Sequence, residues 1–213
     1  MKFYKDMLLL YAITDQGLTG EKNFFEQIEE ALSAGVTLLQ LREKHLDKKA
    51  FLEEALMVRE LTRRYKVPLI INDDAEIALK CGADGVHVGQ GDLSPSKARR
   101  IMGPDRIVGV TAKTVEQAEK AFKDGADYIG SGAVFPSSTK KDAIPLPLER
   151  LTAICCSVPI PVTAIGGITC ENVHLLKGTG IAGAAVVSGI FGQADISGAA
   201  GRLKEQLSKV VNL

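Results

Sequence analysis

Thr37-Leu38-Leu39-Gln40-Leu41-Arg42-Glu43-Lys44 begins as an apolar run and ends in a cluster of charge. Successive side chains of a β-strand point to opposite faces. Read as a strand, the stretch turns Gln40, Arg42 and Lys44 to one side and Leu39, Leu41 and Glu43 to the other. An amide and two cations on one face of a strand end make a seat for a polyanion. The plainer reading is a strand that frays into solvated charge. The choice between them rests on whether the rest of the chain repeats the arrangement.

It does. Residues 8–13 read as a first strand, and Asn23 precedes a helical pattern with Phe24, Ile28, Ala31 and Leu32 on one face, ended by Gly35. The second strand, 36–41, leads into an amphipathic helix over about 47–64, striped by Phe51, Ala55, Val58 and Leu61. The alternation continues with strand 68–71 and helix 75–80, strand 85–88 and helix 94–102, and strand 107–110 and helix 114–123. Thr114 with Gln117 three residues on is a capping-box signature. Strand 127–130 is followed by a Gly/Ser/Pro-containing connection over 131–147 and a helix over 148–156. Strand 161–165 with helix 169–177, then strand 184–187 with a last helix over about 195–210, complete the chain. Short continuous apolar strands alternating with helices predict a parallel sheet covered on its outer face. Eight such units predict a single (β/α)8 TIM barrel over residues 1–213 rather than an open doubly wound sheet.

The composition agrees. Of 213 residues, 46% are hydrophobic and 24% charged, as expected for a soluble globular protein with a sizeable core. Formal net charge is zero, so no nucleic-acid or acidic-membrane partner is expected and any anion site must be local. Tryptophan is absent and glycines number 21, which suits an aliphatic α/β core with many tight turns. Cys81, Cys155, Cys156 and Cys170 form no C-x-x-C pair, and their spacing predicts reduced structural thiols. With no signal peptide and no apolar run long enough to span a bilayer, a cytoplasmic location is expected. Homo-oligomerisation stays open.

Active sites of this fold lie at the C-terminal ends of the strands, and that is where the polar residues gather. Gln40, Arg42 and Lys44 follow the second strand, Asn72 and Asp73 the third, and Gly89-Gln90-Gly91-Asp92 the fourth. Thr111 follows the fifth, Ser137-Ser138-Thr139-Lys140 lie in the loop after the sixth, Gly166-Gly167-Ile168 follow the seventh and Ser188-Gly189 the eighth. Asp73 and Asp92 are suited to one hard cation, since Mg²⁺ takes one or two protein carboxylates together with water and phosphate oxygens. Arg42, Lys44 and Lys140 can grip the same phosphates directly. Gly167, Val187 and Ser188 stand where this fold often holds a phosphate on backbone N–H groups. Two anion sites follow: one metal-dependent, near strands two to four, and one metal-free, near strands seven and eight. Taken singly, Asp73 also reads as a helix cap, Asp92 as a turn residue, Gly166-Gly167 as a tight turn and His87 as a hydrogen-bonded core residue. His45 and His174 read as surface residues.

The chain resembles the thiamine phosphate synthase family. The likeness is carried by Gln-Leu-Arg-Glu-Lys at 40–44, Asn-Asp at 72–73, His-Val-Gly-Gln-Gly-Asp at 87–92 and Gly-Val-Thr-Ala-Lys-Thr at 109–114. Phe-Pro-Ser-Ser-Thr-Lys at 135–140, Ala-Ile-Gly-Gly-Ile at 164–168 and Val-Val-Ser at 186–188 extend it. The resemblance implies that small-molecule substrates, a pyrimidine diphosphate and a thiazole phosphate, are joined with release of pyrophosphate by a Mg²⁺-assisted dissociative substitution. It further implies that Gln40, Arg42, Lys44, Asn72, Thr111 and Lys140 bind the pyrimidine diphosphate, with Arg42, Lys44, Thr111 and Lys140 counted as catalytic. Asp73 and Asp92 would hold Mg²⁺, and Ser137, Thr139, Gly167, Val187 and Ser188 would position the thiazole phosphate. Three positions depart from the family pattern: Thr111 where Ser is usual, Ser137 where Thr is common, and Lys113 where His is often found. The alternatives are a thiazole tautomerase, which would need that histidine for proton transfer, and a non-catalytic thiamine-phosphate-binding protein, which could dispense with the metal carboxylates.

Overall fold

The computed structural model describes residues 3–18, 20, 22–136 and 145–211. Its strands are β1 (Leu10–Ile13), β2 (Leu38–Leu41), β3 (Leu69–Asn72), β4 (Gly85–Val88), β5 (Ile107–Thr111), β6 (Tyr128–Gly132), β7 (Val162–Ile165) and β8 (Gly183–Val186). All pair in parallel in chain order, and β8 returns to β1, with Tyr11 opposite Ala185, to close the barrel. The helices are α1 (Phe24–Ser33), α2 (Lys48–Arg64), α3 (Ala75–Lys80), α4 (Pro95–Met102), α5 (Val115–Lys123), α6 (Leu148–Ser157), α7 (Ser188–Phe191) and α8 (Ile196–Val210). The expected (β/α)8 barrel is present.

Period-two alternation divides the strand residues between two cores. Leu39, Leu41, Leu69, Ile71, Val86 and Val110 point outward into the layer shared with the helices. Leu38, Ile70, Ile107, Tyr11 and Tyr128 point inward and fill the barrel, as the packed interior of this fold requires. Side-chain caps start the helices where polar residues precede apolar stripes. Asn23, Asp47, Asp74, Thr114 and Asp195 each accept first-turn N–H groups, which would otherwise lack partners. At Thr114 the return bond of the expected capping box falls on Lys113 N (2.7 Å) rather than on Thr114 N.

Two expectations need correction. The first strand starts at Leu10, because Lys5–Leu8 coils into a 3₁₀ turn whose last residue plugs the barrel. Over 169–177 only Val173–Leu176 is helical, and it is 3₁₀. Local polar side chains compete there with a regular helix: Asn172 bonds Gly167 O and Thr169 N, and Thr169 Oγ1 accepts from Glu171 N.

The end of the barrel away from the active-site mouth is fastened by a repeated device. Thr37 Oγ1 accepts from Leu10 N (2.8 Å), Asp84 from Leu69 N (2.8 Å) and Asp127 from Val108 N (2.7 Å). Each bond ties the start of an odd-numbered strand to the residue preceding the next strand. Arg59 on α2 reaches forward to Asp84 with two N–H groups (2.5 and 3.2 Å), and Arg99 on α4 reaches Asp127 (2.5 Å).

Candidate active site

Gln40, Arg42, Asn72 and Thr111 line one cleft at the C-terminal mouth together with Gly167, Val187 and Ser188. Residues expected on both sides of the mouth therefore line one cleft. Its remaining wall includes Tyr11, Ile13, His87, Lys113, Thr163 and Ile165.

On the β2–β4 side, alternation carries Gln40 into the barrel, where it is 2% exposed and donates to the Tyr11 hydroxyl. Arg42 is pinned by its backbone N–H to Thr14 Oγ1 (3.0 Å) and carries its guanidinium 3.6 Å from Asp15. Asp73 Oδ2 accepts from Lys44 Nζ (2.6 Å) and from Asn72 Nδ2 (2.5 Å). Asp74, not Asp73, caps α3, so capping is not what Asp73 is for. Asp73 instead stands in the left-handed region at φ +64°, an uncommon conformation outside glycine that gathers at functional positions. Asp92 does close a turn: its Oδ2 accepts from Gly89 N at 2.9 Å. Lys44, Asp73 and Asp92 are outside the cleft lining and stand on the loops after β2, β3 and β4.

On the opposite side, Gly166 and Gly167 both have positive φ. A Cβ on Gly167 would lie 2.2 Å from Pro136 O, so the backbone approach there admits no side chain. Val187 stands at the N-terminal end of α7 without a side-chain cap and takes the N–H groups of Ile190 and Phe191 on its carbonyl, while Ser188, where the helix opens, lines the cleft. Ser137, Thr139 and Lys140 lie outside the described residues.

Several groups at or near the cleft were given no place in the site from the sequence. His87 is hydrogen-bonded through both ring nitrogens, as a core histidine would be, yet its ring lines the cleft. Burial pushes the hydroxyls of Tyr11 and Tyr128 well above the ordinary tyrosine range, so both stay protonated. Lys113 also lines the cleft. The carboxyl of Glu54 on α2 takes one bond from Gln16 Nε2 (2.5 Å), and its Oε1 is buried with no hydrogen-bond partner. Among the described residues no three His, Cys, Asp or Glu side chains gather around a metal position.

Residues 10–190 match the sequence profile of thiamine monophosphate synthase. The chain belongs to that family. It is 51% identical to the thiamine-phosphate synthase of Ruminiclostridium cellulolyticum over 92% of this chain and 93% of the relative. It is equally identical to that of Methanobrevibacter smithii, over 86% and 88%. The thiamine phosphate pyrophosphorylase of Pyrococcus furiosus superposes with a TM-score of 0.89 at 38% identity, covering 98% of this chain and 99% of that one. The chain is thus an enzyme, a transferase of thiamine biosynthesis. None of its described helices is long and apolar enough to cross a membrane.

Proposed function

We propose that the enzyme joins 4-amino-2-methyl-5-(diphosphooxymethyl)pyrimidine to thiazole phosphate by a dissociative substitution, with both substrates seated in the cleft just described. The observation that carries this reading is that Gln40, Arg42, Asn72 and Thr111 share one cavity with Gly167, Val187 and Ser188. A diphosphate on the first group and a phosphate on the second would leave their two rings side by side. The C–O bond at the pyrimidine methylene breaks and its electron pair leaves with pyrophosphate. The thiazole nitrogen then forms the C–N bond. This dissociative route needs no protein nucleophile. What the chain supplies is alignment and electrostatic stabilisation of the leaving group.

Arg42 offers a planar fork of donors to the diphosphate. Asn72 sits between that site and Asp73, holding the carboxylate through its amide (2.5 Å). Lys44 forms an ion pair with Asp73 that is largely open to solvent; such a pair is worth little and yields readily to a stronger anion. Asp73 and Asp92 would hold Mg²⁺, and the donor set fits: two carboxylates on neighbouring loops leave coordination positions for substrate oxygens. When bound, the metal would neutralise charge developing on the departing pyrophosphate. Lys140 would complete the diphosphate site, and Ser137 and Thr139 the thiazole phosphate site. Neither alternative gains support, because the relatives are synthases and lysine stands where a tautomerase would carry histidine.

The test is release of pyrophosphate by the purified enzyme with both substrates and Mg²⁺. Equal yields of pyrophosphate and thiamine phosphate are expected, with neither formed when the metal is removed. Absence of coupled product with both substrates and metal present would reject the reading.

A further inference from the structure

Gln40, Tyr11, Tyr128, His87 and Thr111, on β2, β1, β6, β4 and β5, form one unbroken line of hydrogen bonds across the barrel. Gln40 Nε2 donates to the Tyr11 hydroxyl, which lies 2.8 Å from that of Tyr128. The Tyr128 hydroxyl is 3.0 Å from His87 Nδ1, and His87 Nε2 is 2.9 Å from Thr111 Oγ1. Both tyrosines are buried, at 1% and 0% exposure. Space has been cleared for the line: a Cβ on Gly109 would lie 2.1 Å from Tyr128 Cζ, and one on Gly130 would lie 3.1 Å from His87 Cε1. Two buried tyrosines could satisfy each other. Here the bonds run on to Gln40, His87 and Thr111, three residues that line the cleft, which Tyr11 lines as well.

The line has a direction. An amide nitrogen only donates, while a hydroxyl can accept one bond and give another. The Tyr11 oxygen therefore accepts from Gln40, and because the buried Tyr11 hydrogen would otherwise meet no acceptor in the line, it is assigned to Tyr128. Tyr128 in turn donates to His87 Nδ1. A ring nitrogen that accepts leaves the proton on the other, so Nε2–H donates to Thr111 and the hydrogen of Thr111 is left for a ligand. At the other end the amide oxygen of Gln40 is left as an acceptor.

We propose that Tyr11 and Tyr128 are positioning residues that fix Gln40 as an acceptor and Thr111 as a donor toward the pyrimidine substrate, and so select an amino-bearing pyrimidine over its oxo counterpart. The inference rests on the assignment of Gln40 and Thr111 to the pyrimidine site. An exocyclic amino group meets the Gln40 oxygen as a donor, whereas an oxo group would set two acceptors against each other, a mismatch that costs affinity.

Nitrogen-15 NMR of histidine-labelled enzyme tests the direction without any turnover, so its result stands or falls apart from the activity. The chain has only three histidines, and His45 and His174 are exposed. His87 is expected as the neutral Nε2–H tautomer in the wild type. It should remain so in Tyr11→Phe, where Tyr128 still donates, and lose that preference in Tyr128→Phe. Tyr128→Phe should also lower kcat/KM for the pyrimidine about tenfold or more, with KM for the thiazole within about twofold. Tyr11→Phe should narrow the preference for the amino over the oxo pyrimidine, read as a ratio of dissociation constants. An Nδ1–H tautomer in the wild type overturns the direction whether or not either variant folds. An unchanged amino-to-oxo ratio in folded Tyr11→Phe overturns the selectivity.

Discussion

Replacing Glu54 by glutamine should flatten the enzyme's stability against pH. Glu54 is 8% exposed on α2, and its carboxyl is pushed up from an ordinary 4.5 to about 7. Burial is the main cause and the charge of Glu43 the second, while the Gln16 N–H pulls the other way. Between those two values the folded chain holds a proton that the unfolded chain has released. Rising pH therefore favours unfolding: the contribution is whole below about 4.5 and gone once pH has passed about 7. At 1.36 kcal/mol per tenfold change in proton affinity, Glu54 alone takes roughly 2–3 kcal/mol from stability between pH 5 and pH 8. For a chain of this length that is roughly 5–10 °C in Tm. The assay is thermal unfolding of wild type and Glu54→Gln at several pH values. Slopes should be compared rather than levels, because the new amide brings an N–H that needs an acceptor of its own. Groups that do not interact with Glu54 titrate alike in both proteins and cancel, so only Glu43, whose charge acts on it, also enters the difference. Parallel curves for the two proteins would refute the reasoning.

Asp92→Ala should cut pyrophosphate release by about 10²–10³, the usual loss when one preorganised stabiliser of developing charge is removed; near-normal turnover at ordinary Mg²⁺ would show the metal to be elsewhere. Gly167→Ala should weaken thiazole phosphate binding far more than pyrimidine binding, since the new Cβ would fall 2.2 Å from Pro136 O; calorimetric titration with each substrate reads the difference. A trifluoromethyl group in place of the pyrimidine's 2-methyl should slow the single-turnover rate by powers of ten with little change in affinity, at about tenfold per 1.36 kcal/mol; equal rates would mean that the thiazole nitrogen pushes the pyrophosphate out.

The barrel was legible because its strands are short apolar runs that each end in polar residues, and the fold places all those ends at one mouth. Gln40 and Arg42 could be read from alternation within a single strand. That Gly167, Val187 and Ser188 would reach the mouth could be read from their places just after strands seven and eight. Tyr11 and Tyr128 could not, because an inward tyrosine within an apolar run looks like any other core residue. Their meaning depends on a meeting between strands 117 residues apart, which no local pattern records. Glu54 was hidden for the opposite reason: a glutamate on an amphipathic helix looks solvated, and only the packing of the loops after β1 and β2 over it makes it buried. The helix expected over 169–177 failed because side-chain bonds to the backbone within 167–172 outcompete a regular turn.

The fastened base of the barrel also decides where the polypeptide could be cut and still find itself again. The bonds of Thr37, Asp84 and Asp127 each stay within one consecutive pair of strands. Arg59 and Arg99 instead reach from one pair's trailing helix into the next pair. A break between α2 and β3 would leave every one of the first kind whole on one fragment or the other. The ion pair of Arg59 with Asp84, both side chains mostly buried, would become the buried charged joint across the gap, beside the more exposed pairs of Lys44 with Asp73 and of Lys48 with Asp74 and Glu76. Two such fragments should dock in a register set by that joint, and fragments carrying Arg59→Ala should re-form the barrel less completely when mixed.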